Sequence, residues 1–176
     1  LDVPVHWHGS GGLAAQLALP RWKGFSRNQS HTVSTSRLCA TPAQMIPNLI
    51  LSGLLDKYPR LNWVCAETGL GWVNYVLEAC DHEWERRHLW TEGIMTRPSE
   101  LFQRNCWISF EPVEGALDVL ADYIGPHKIL WATDYPHADG FFPGAPALIA
   151  KQTAALSETS KSEILAGGAM RFYGLA

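Results

Sequence analysis

The sequence contains no CxxC pair, no apolar run long enough to cross a bilayer and no strong excess of charge of either sign. Its four cysteines are spread along the chain among apolar neighbours, which favours buried free thiols in a reducing cytoplasm over a disulfide framework. The apolar stretch at residues 48 to 55 is broken by Ser52 and Gly53, so neither a membrane span nor a targeting segment is expected. A formal net charge of -3 argues against a nucleic-acid-binding module.

The composition of residues 1 to 176 is typical of one globular domain. It is 47% hydrophobic and 18% charged, which is enough apolar sequence to bury a core. Eight tryptophans are an unusually large number, and such rings fill cores and line ligand pockets.

Short apolar strands alternate with helical patterns along the chain. Strands are predicted at residues 2 to 8, 61 to 66, 106 to 110 and 128 to 133, and a long polar loop at residues 9 to 40. Helices are predicted from Thr41 to Asp56 with a kink or break at Pro47, from Val73 to Trp84, and around residues 114 to 123, 145 to 156 and 160 to 171.

Four strands that each precede a helix predict parallel strands joined by crossovers, hence an α/β fold. Because a (β/α)8 TIM barrel needs about 250 residues, four units fit half of such a barrel. A small open α/β sheet is the alternative that the arithmetic also allows.

Polar side chains recur at the carboxyl end of each predicted strand. His8, Glu67, Glu111 and Asp134 follow strands one to four. In a parallel barrel these ends open onto one face, so the four side chains are predicted to gather there as a catalytic site. Histidine and carboxylates are ligand types that suit zinc, manganese or iron. The alternative is that each residue caps a helix or bonds to its own loop.

The loop after the first strand is basic. Because loops after barrel strands form the mouth of the site, Arg21 is predicted to bind a substrate carboxylate and Trp22 to stack on a ring. The alternative is a solvated loop with incidental charge. Between Val3 and Leu55 the sequence has no acidic residue, and the loop carries Arg21, Lys23, Arg27 and Arg37.

Three motifs occur in an order that resembles a known family. They are PVHWHG at residues 4 to 9, LNWVCAETGLGW at 61 to 72 and WATDYPH at 131 to 137, followed by ILAGGAMRFYG at 164 to 174. Together they resemble the amidohydrolase-2 branch of the amidohydrolase superfamily, the group of aminocarboxymuconate-semialdehyde decarboxylase and the resorcylate decarboxylases.

The resemblance implies a (β/α)8 barrel with one divalent metal, zinc or alternatively manganese, and covers only strands five to eight. His8 matches the metal-binding histidine of the fifth strand, and Asp134 matches the aspartate of the eighth strand, which binds metal and acts as a base. Glu67 stands where many members have a histidine, and is expected to be catalytic. His137 closes the third motif and is expected to contact substrate. The metal ligands of the family's first strand have no counterpart in this sequence.

These features predict a metal-dependent enzyme that hydrolyses, or non-oxidatively decarboxylates, a small cyclic or aromatic carboxylate. The alternative is a catalytically silent half-barrel that needs a partner chain, because a half-barrel has two open sheet edges. A homo-oligomer is expected for the same reason.

Overall fold

A single parallel sheet lies at the centre of the protein. The computed structural model describes residues 3–9, 24–138 and 140–175. Within these residues the strands pair in the order β1-β2-β3-β4, all parallel, and the predicted α/β fold is confirmed. The third strand has its predicted bounds and the other three are shorter than predicted: β1 is Val5–His8, β2 Trp63–Ala66, β3 Cys106–Phe110 and β4 Ile129–Trp131.

Helices connect these strands and follow the last one. In the described residues the α-helices are α1 (Arg27–Thr35), α2 (Ala40–Leu51), α3 (Leu54–Lys57), α4 (Val73–Arg86), α5 (Pro98–Asn105), α6 (Leu117–Ile124), α7 (Ala145–Gln152), α8 (Glu158–Ser162) and α9 (Gly168–Tyr173). Short 3-10 turns lie at Leu89–Glu92 and Pro126–Lys128, and one π turn at Glu163–Gly167 joins α8 to α9.

The prediction of an irregular loop up to residue 40 is wrong for its second half. Residues 27 to 35 form α1, which buries none of its side chains and therefore has no apolar periodicity to detect. The signal that could have identified it is a capping box, in which the Ser26 hydroxyl accepts from the Gln29 N–H while the Gln29 side chain accepts from the Ser26 N–H.

Of the two outcomes predicted for Pro47, a kink or a break, the break is wrong. The helix α2 continues through Pro47 and ends at Leu51. The interruption comes at Gly53, where a φ of 74° places the backbone in the left-handed region.

The remaining predicted helices are present with shifted ends. Helix α6 begins at Leu117 rather than residue 114, and α7 ends at Gln152 rather than residue 156. The last predicted helix is the continuous set α8, π turn and α9. Helix α5, which apolar periodicity did not predict, starts with Pro98 in its first turn.

Side chains on the two faces of the sheet enter two separate cores. Cys65, Ile108 and Ile129 point to the outer face and pack with the helices in a large buried cluster. Their neighbours Val64, Trp107 and Leu130 point to the inner face and form a small apolar cluster with Phe172 and Ala169 of α9. The inner face is therefore covered at its amino end by α9, and its carboxyl end is left for the site.

All four cysteines are free thiols, as predicted: Cys65, Cys80 and Cys106 are buried and Cys39 is half-buried. Burial raises the pKa of the Cys65 thiol to about 12 and also raises the pKa of Cys80 and Cys106, so these three buried thiols are unreactive at neutral pH. Within the described residues, no helix has the length and apolar character to span a bilayer.

A buried lysine lies at the amino end of β4. The Lys128 side chain is 5% exposed, its Nζ lies 3.3 Å from the centroid of the Trp107 ring, and it donates to the Arg104 carbonyl at 3.0 Å. Burial, assisted by the charge of Arg171, lowers the pKa of Lys128 to about 8. The charged form is therefore costly in the folded protein.

We expect Lys128→Met to stabilise the protein in a pH-dependent way. Because the folded-state pKa lies below the ordinary value of 10.5, the cost is fully present below pH 8 and disappears as the pH rises toward 10.5. The melting temperature should rise by about 5 °C at pH 6.5, with a gain that shrinks by pH 9.5. Exposed Lys151→Met is the matched control. A gain for Lys128→Met that is equal at both pH values would contradict the prediction.

Candidate metal centre

A cavity of about 250 Å³ lies on the inner face of the sheet at the carboxyl ends of the strands. The walls combine apolar side chains with one histidine or carboxylate from the end of each strand. They include His6, His8, Val64, Ala66, Glu67, Ser109, Glu111, Leu130, Asp134 and Tyr173.

The backbone is strained where two of these carboxylates emerge. Glu67 and Asp134 each have a φ of 56°, in the left-handed region that non-glycine residues rarely adopt. Such conformations cost about 1–3 kcal/mol each and persist where the surroundings hold them. Both residues follow a strand end, and both side chains line the cavity.

Glu67 is held from two sides. Its backbone N–H donates to the Ser109 hydroxyl at 2.7 Å, and its Oε2 contacts Nε2 of His8. The His8 Nδ1 lies 2.7 Å from the carbonyl of Gly9, which can only accept, so Nδ1 carries the proton. This bond directs Nε2 of His8 into the site, the orientation that a metal-binding histidine takes.

Asp134 is held by the turn that follows it. Nδ1 of His137 lies 3.0 and 3.1 Å from the two carboxylate oxygens of Asp134, and the His137 N–H donates to the Asp134 carbonyl at 2.9 Å. Gly140 closes the turn, because a Cβ there would lie 2.8 Å from the Asp134 carbonyl oxygen. The tight turn therefore requires glycine.

The donor atoms suit a divalent cation. One ligand atom each from Glu67, Asp134 and His137 lies within 4.8 Å of the others, and His8 adjoins this group through Glu67. Carboxylate oxygens and imidazole nitrogens are the ligand types of zinc and manganese. The residues present therefore fit the metal that the resemblance implies.

Glu111 adds a carboxyl group of different character to the same cavity. Burial and then repulsion from the carboxylates of Glu114, Glu67 and Asp134 raise the pKa of Glu111 to about 7. In the absence of a cation, Glu111 therefore keeps its proton close to neutral pH.

The predicted site residues separate into two groups. His8, Glu67, Asp134 and His137 lie together at the cavity. The other two, Arg21 and Trp22, lie outside the described residues, and no lysine or arginine among the described ones lines the cavity.

Two contributors were missed by sequence reasoning, Ser109 within β3 and Glu114 in the loop after it. Ser109 shares a strand face with Trp107, so the alternation of β3 already pointed it toward the cavity. Glu114 gave no signal, because a single glutamate between a strand and a helix resembles an ordinary surface residue.

The described residues form parallel β/α units with a cluster of carboxylates and a histidine at the strand ends. This arrangement is typical of the class of β/α proteins whose metal ligands lie at the carboxyl ends of the strands. The amidohydrolase family model matches residues 1–175, so the chain belongs to the amidohydrolase family and the resemblance is confirmed.

Relatives with assigned names are similar over nearly the whole chain. The 2-amino-3-carboxymuconate-6-semialdehyde decarboxylase of Dictyostelium discoideum is 26% identical over 167 residues, 93% of this chain and 46% of that protein. An amidohydrolase structure from Mycobacterium avium subsp. paratuberculosis matches 98% of this chain and 43% of its own, with a TM-score of 0.77 and 21% identity. A dihydroxybenzoic acid decarboxylase structure from Polaromonas sp. JS666, with bound manganese and the inhibitor 2-nitroresorcinol, matches 99% of this chain and 50% of its own (TM-score 0.66, 21% identity).

The chain thus spans about half the length of the relatives it matches. At these identities the two structures support the fold, and the Dictyostelium relative extends the similarity to a named decarboxylase.

We expect Mn²⁺ or Zn²⁺ to raise the melting temperature of the protein. A ligand that binds only the folded state stabilises it by about 2.7 kcal/mol at a concentration of 100 times its Kd. Asp134→Asn should abolish the shift, since it removes a carboxylate shared with His137. Asp122→Asn, an exposed change on α6, is the control and should keep the shift. An undiminished shift in Asp134→Asn, measured by thermal melting with and without metal, would contradict the prediction.

Proposed function

We propose that this chain forms the catalytic face of a metal-dependent enzyme that removes the carboxyl group from a small aromatic or cyclic carboxylate without oxidation. The observation that carries the proposal is the convergence of Glu67, Asp134 and His137 at a cavity on the strand ends, with His8 beside them. The names of the Dictyostelium and Polaromonas proteins support decarboxylation.

His8 and Asp134 are assigned to hold the cation, with Glu67 beside them. When bound, a divalent cation would polarise a substrate oxygen or lower the pKa of a coordinated water. His137 fixes the orientation of the Asp134 carboxylate through Nδ1. His8 presents Nε2 because its Nδ1–H is already bonded to the Gly9 carbonyl.

Glu67 and Asp134 are assigned to proton transfer. In decarboxylation the bond between the ring carbon and the carboxyl group breaks, carbon dioxide leaves, and that ring carbon gains one proton. Glu67 is oriented for this role by Ser109 and His8, and the apolar wall of Val64 and Leu130 offers a surface for a ring. Glu111 lines the same cavity as a further carboxyl group, and without a cation its pKa is raised to about 7.

Hydrolysis is the second candidate, and the carboxylate of Glu67 favours it. When bound, a cation would lower the pKa of a coordinated water, and a carboxylate such as Glu67, whose ligand atom lies within 4.8 Å of those of Asp134 and His137, would be suited to accept the proton. Arg21 and Trp22 are proposed to contact the substrate carboxylate and ring.

We expect Glu67→Gln to abolish turnover while metal binding persists. The amide cannot carry the transferred proton, so kcat should fall about 100-fold or more. The assay is carbon dioxide release from hydroxybenzoates by the Mn²⁺-loaded protein, run in parallel with metal analysis and with a lactone and an amide as substrates for the hydrolytic reaction. Asp122→Asn again serves as the control. A Glu67→Gln protein with full kcat would overturn the role of Glu67, and a wild type inactive on all three classes would overturn the proposed function.

We further propose that residues 1 to 176 are one domain, corresponding to strands five to eight of a (β/α)8 barrel. In the described residues β1 and β4 are the edges of the sheet, and each leaves one side unpaired. Further strands of such a barrel would cover these edges. A cytoplasmic location is proposed from the free, buried thiols.

We expect the 176-residue polypeptide to form a homo-oligomer, because pairing of the open edges removes exposed backbone groups from water. The measurement is solution mass by light scattering over a concentration series, with thermal melting in parallel. A monodisperse monomer of 19.5 kDa that melts cooperatively would contradict the expectation.

A further inference from the structure

One carboxylate outside the ligand cluster joins two of the loops that form the site. Glu114 lies between β3 and α6 and is half-buried. Its Oε2 accepts from the backbone N–H groups of Leu70 at 2.8 Å and Gly71 at 3.2 Å. Its Oε1 accepts from the N–H of Glu111 at 2.7 Å. A single side chain thus connects the loop after β2 to the loop after β3.

The loop after β2 is shaped around this carboxylate. Gly69 has a φ of 64°, and a Cβ at Gly69 would lie 3.1 Å from Oε2 of Glu114. Gly69 therefore supplies both the left-handed turn and the space that Glu114 occupies. In the other loop, the Glu114 N–H donates to the Glu111 carbonyl at 2.9 Å, which closes a turn on Glu111.

The two loops are those that carry Glu67 and Glu111. Glu67 lies two residues before Gly69, and its strained backbone is bonded to Ser109 on the side of β3. Glu114 holds the same segment from its other end. Together, Ser109 and Glu114 fix both ends of the short segment in which Glu67 adopts its unfavourable φ.

We propose that Glu114 is a positioning residue that sets the place of Glu67, and of Glu111, in the cavity. The role of Glu67 rests on the proposed function, whereas the connection between the two loops does not. A carboxylate suits this position because all three partners are N–H donors and an ionised carboxylate only accepts. A glutamine would turn an NH2 group toward one of these donors.

The chain offers a matched control away from the cavity. Asp56 in α3 also joins two segments through its carboxylate, which accepts from the N–H groups of Met95 and Thr96 at 3.1 and 3.3 Å. It does not line the cavity. Asp56→Asn therefore removes a similar set of carboxylate–backbone bonds without touching the site.

The experiment compares wild type, Glu114→Gln and Asp56→Asn by hydrogen exchange, Mn²⁺ affinity and carbon dioxide release. In Glu114→Gln we expect faster exchange at Leu70, Gly71 and Glu111 and a Mn²⁺ affinity lower by about tenfold or more, as for lost outer-shell partners of metal ligands. The kcat should fall as well. Asp56→Asn should lose stability while Mn²⁺ affinity and kcat stay within about twofold of wild type.

Each result bears on the proposal. Unchanged exchange at Leu70, Gly71 and Glu111 in Glu114→Gln overturns it, and so does an equal loss of Mn²⁺ affinity in Asp56→Asn. If wild type neither binds Mn²⁺ nor releases carbon dioxide, the proposed function fails and Glu114 is judged by exchange alone. If Glu114→Gln does not fold, the test is made on the wild-type protein. Hydrogen exchange at the three amides must then slow together when Mn²⁺ is added. Slowing at some of these amides and not at the others overturns the proposal.

Discussion

Parallel pairing of the strands is the constraint on which the site depends. Because β1 to β4 are parallel and paired in register, their carboxyl ends lie at the same end of the sheet, and residues far apart in the chain meet there. Parallel pairing brings His8, Glu67, Glu111 and Asp134 to one end of the sheet, where they face one cavity. If any one of the four strands ran antiparallel to the others, the side chain that follows it would lie at the opposite end of the sheet, and the cluster would be incomplete.

The close approach of these groups carries an energetic cost that the neighbouring loops offset. Two of the site's acids, Glu67 and Asp134, have a left-handed backbone, and several carboxylates share a small partly buried space, as the raised pKa of Glu111 indicates. Backbone N–H groups, the Ser109 hydroxyl and His137 hold the acids in place without neutralising all of their charge. A bound divalent cation would relieve the remaining repulsion among these carboxylates.

The strands and the acids at their ends could be predicted from the sequence. Buried parallel strands are near-continuous apolar runs, and a polar residue after such a run marks the end of the strand. Sequence reasoning failed where no apolar pattern exists: α1 buries no side chain, and its only signal is the pair Ser26 and Gln29. A break at Pro47, one of the two outcomes predicted there, does not occur, because α2 accommodates the proline within a continuous helix.

The site was predictable in its residue types and less so in its connections. His8, Glu67 and Asp134 stand out because each ends a strand, whereas His137 is brought into the cluster by the turn that follows Asp134. The bonds of Glu114 to the other loop depend on three-dimensional proximity between segments that are distant in sequence. No local pattern encodes such a contact.

The separation of the two cores bears on how the chemistry of this chain can diverge. In the described residues the large outer core joins the helices to the sheet, while the inner face carries a small apolar cluster and the cavity with its carboxylates. Val64 and Leu130 line the cavity without belonging to the outer core, so substitutions at these two positions can change which substrate fits while the outer packing is kept. Exchanging two adjacent residues of a strand would alter both the cavity and the outer core, because their side chains point to opposite faces. Natural variation among relatives should therefore be concentrated at every second strand position.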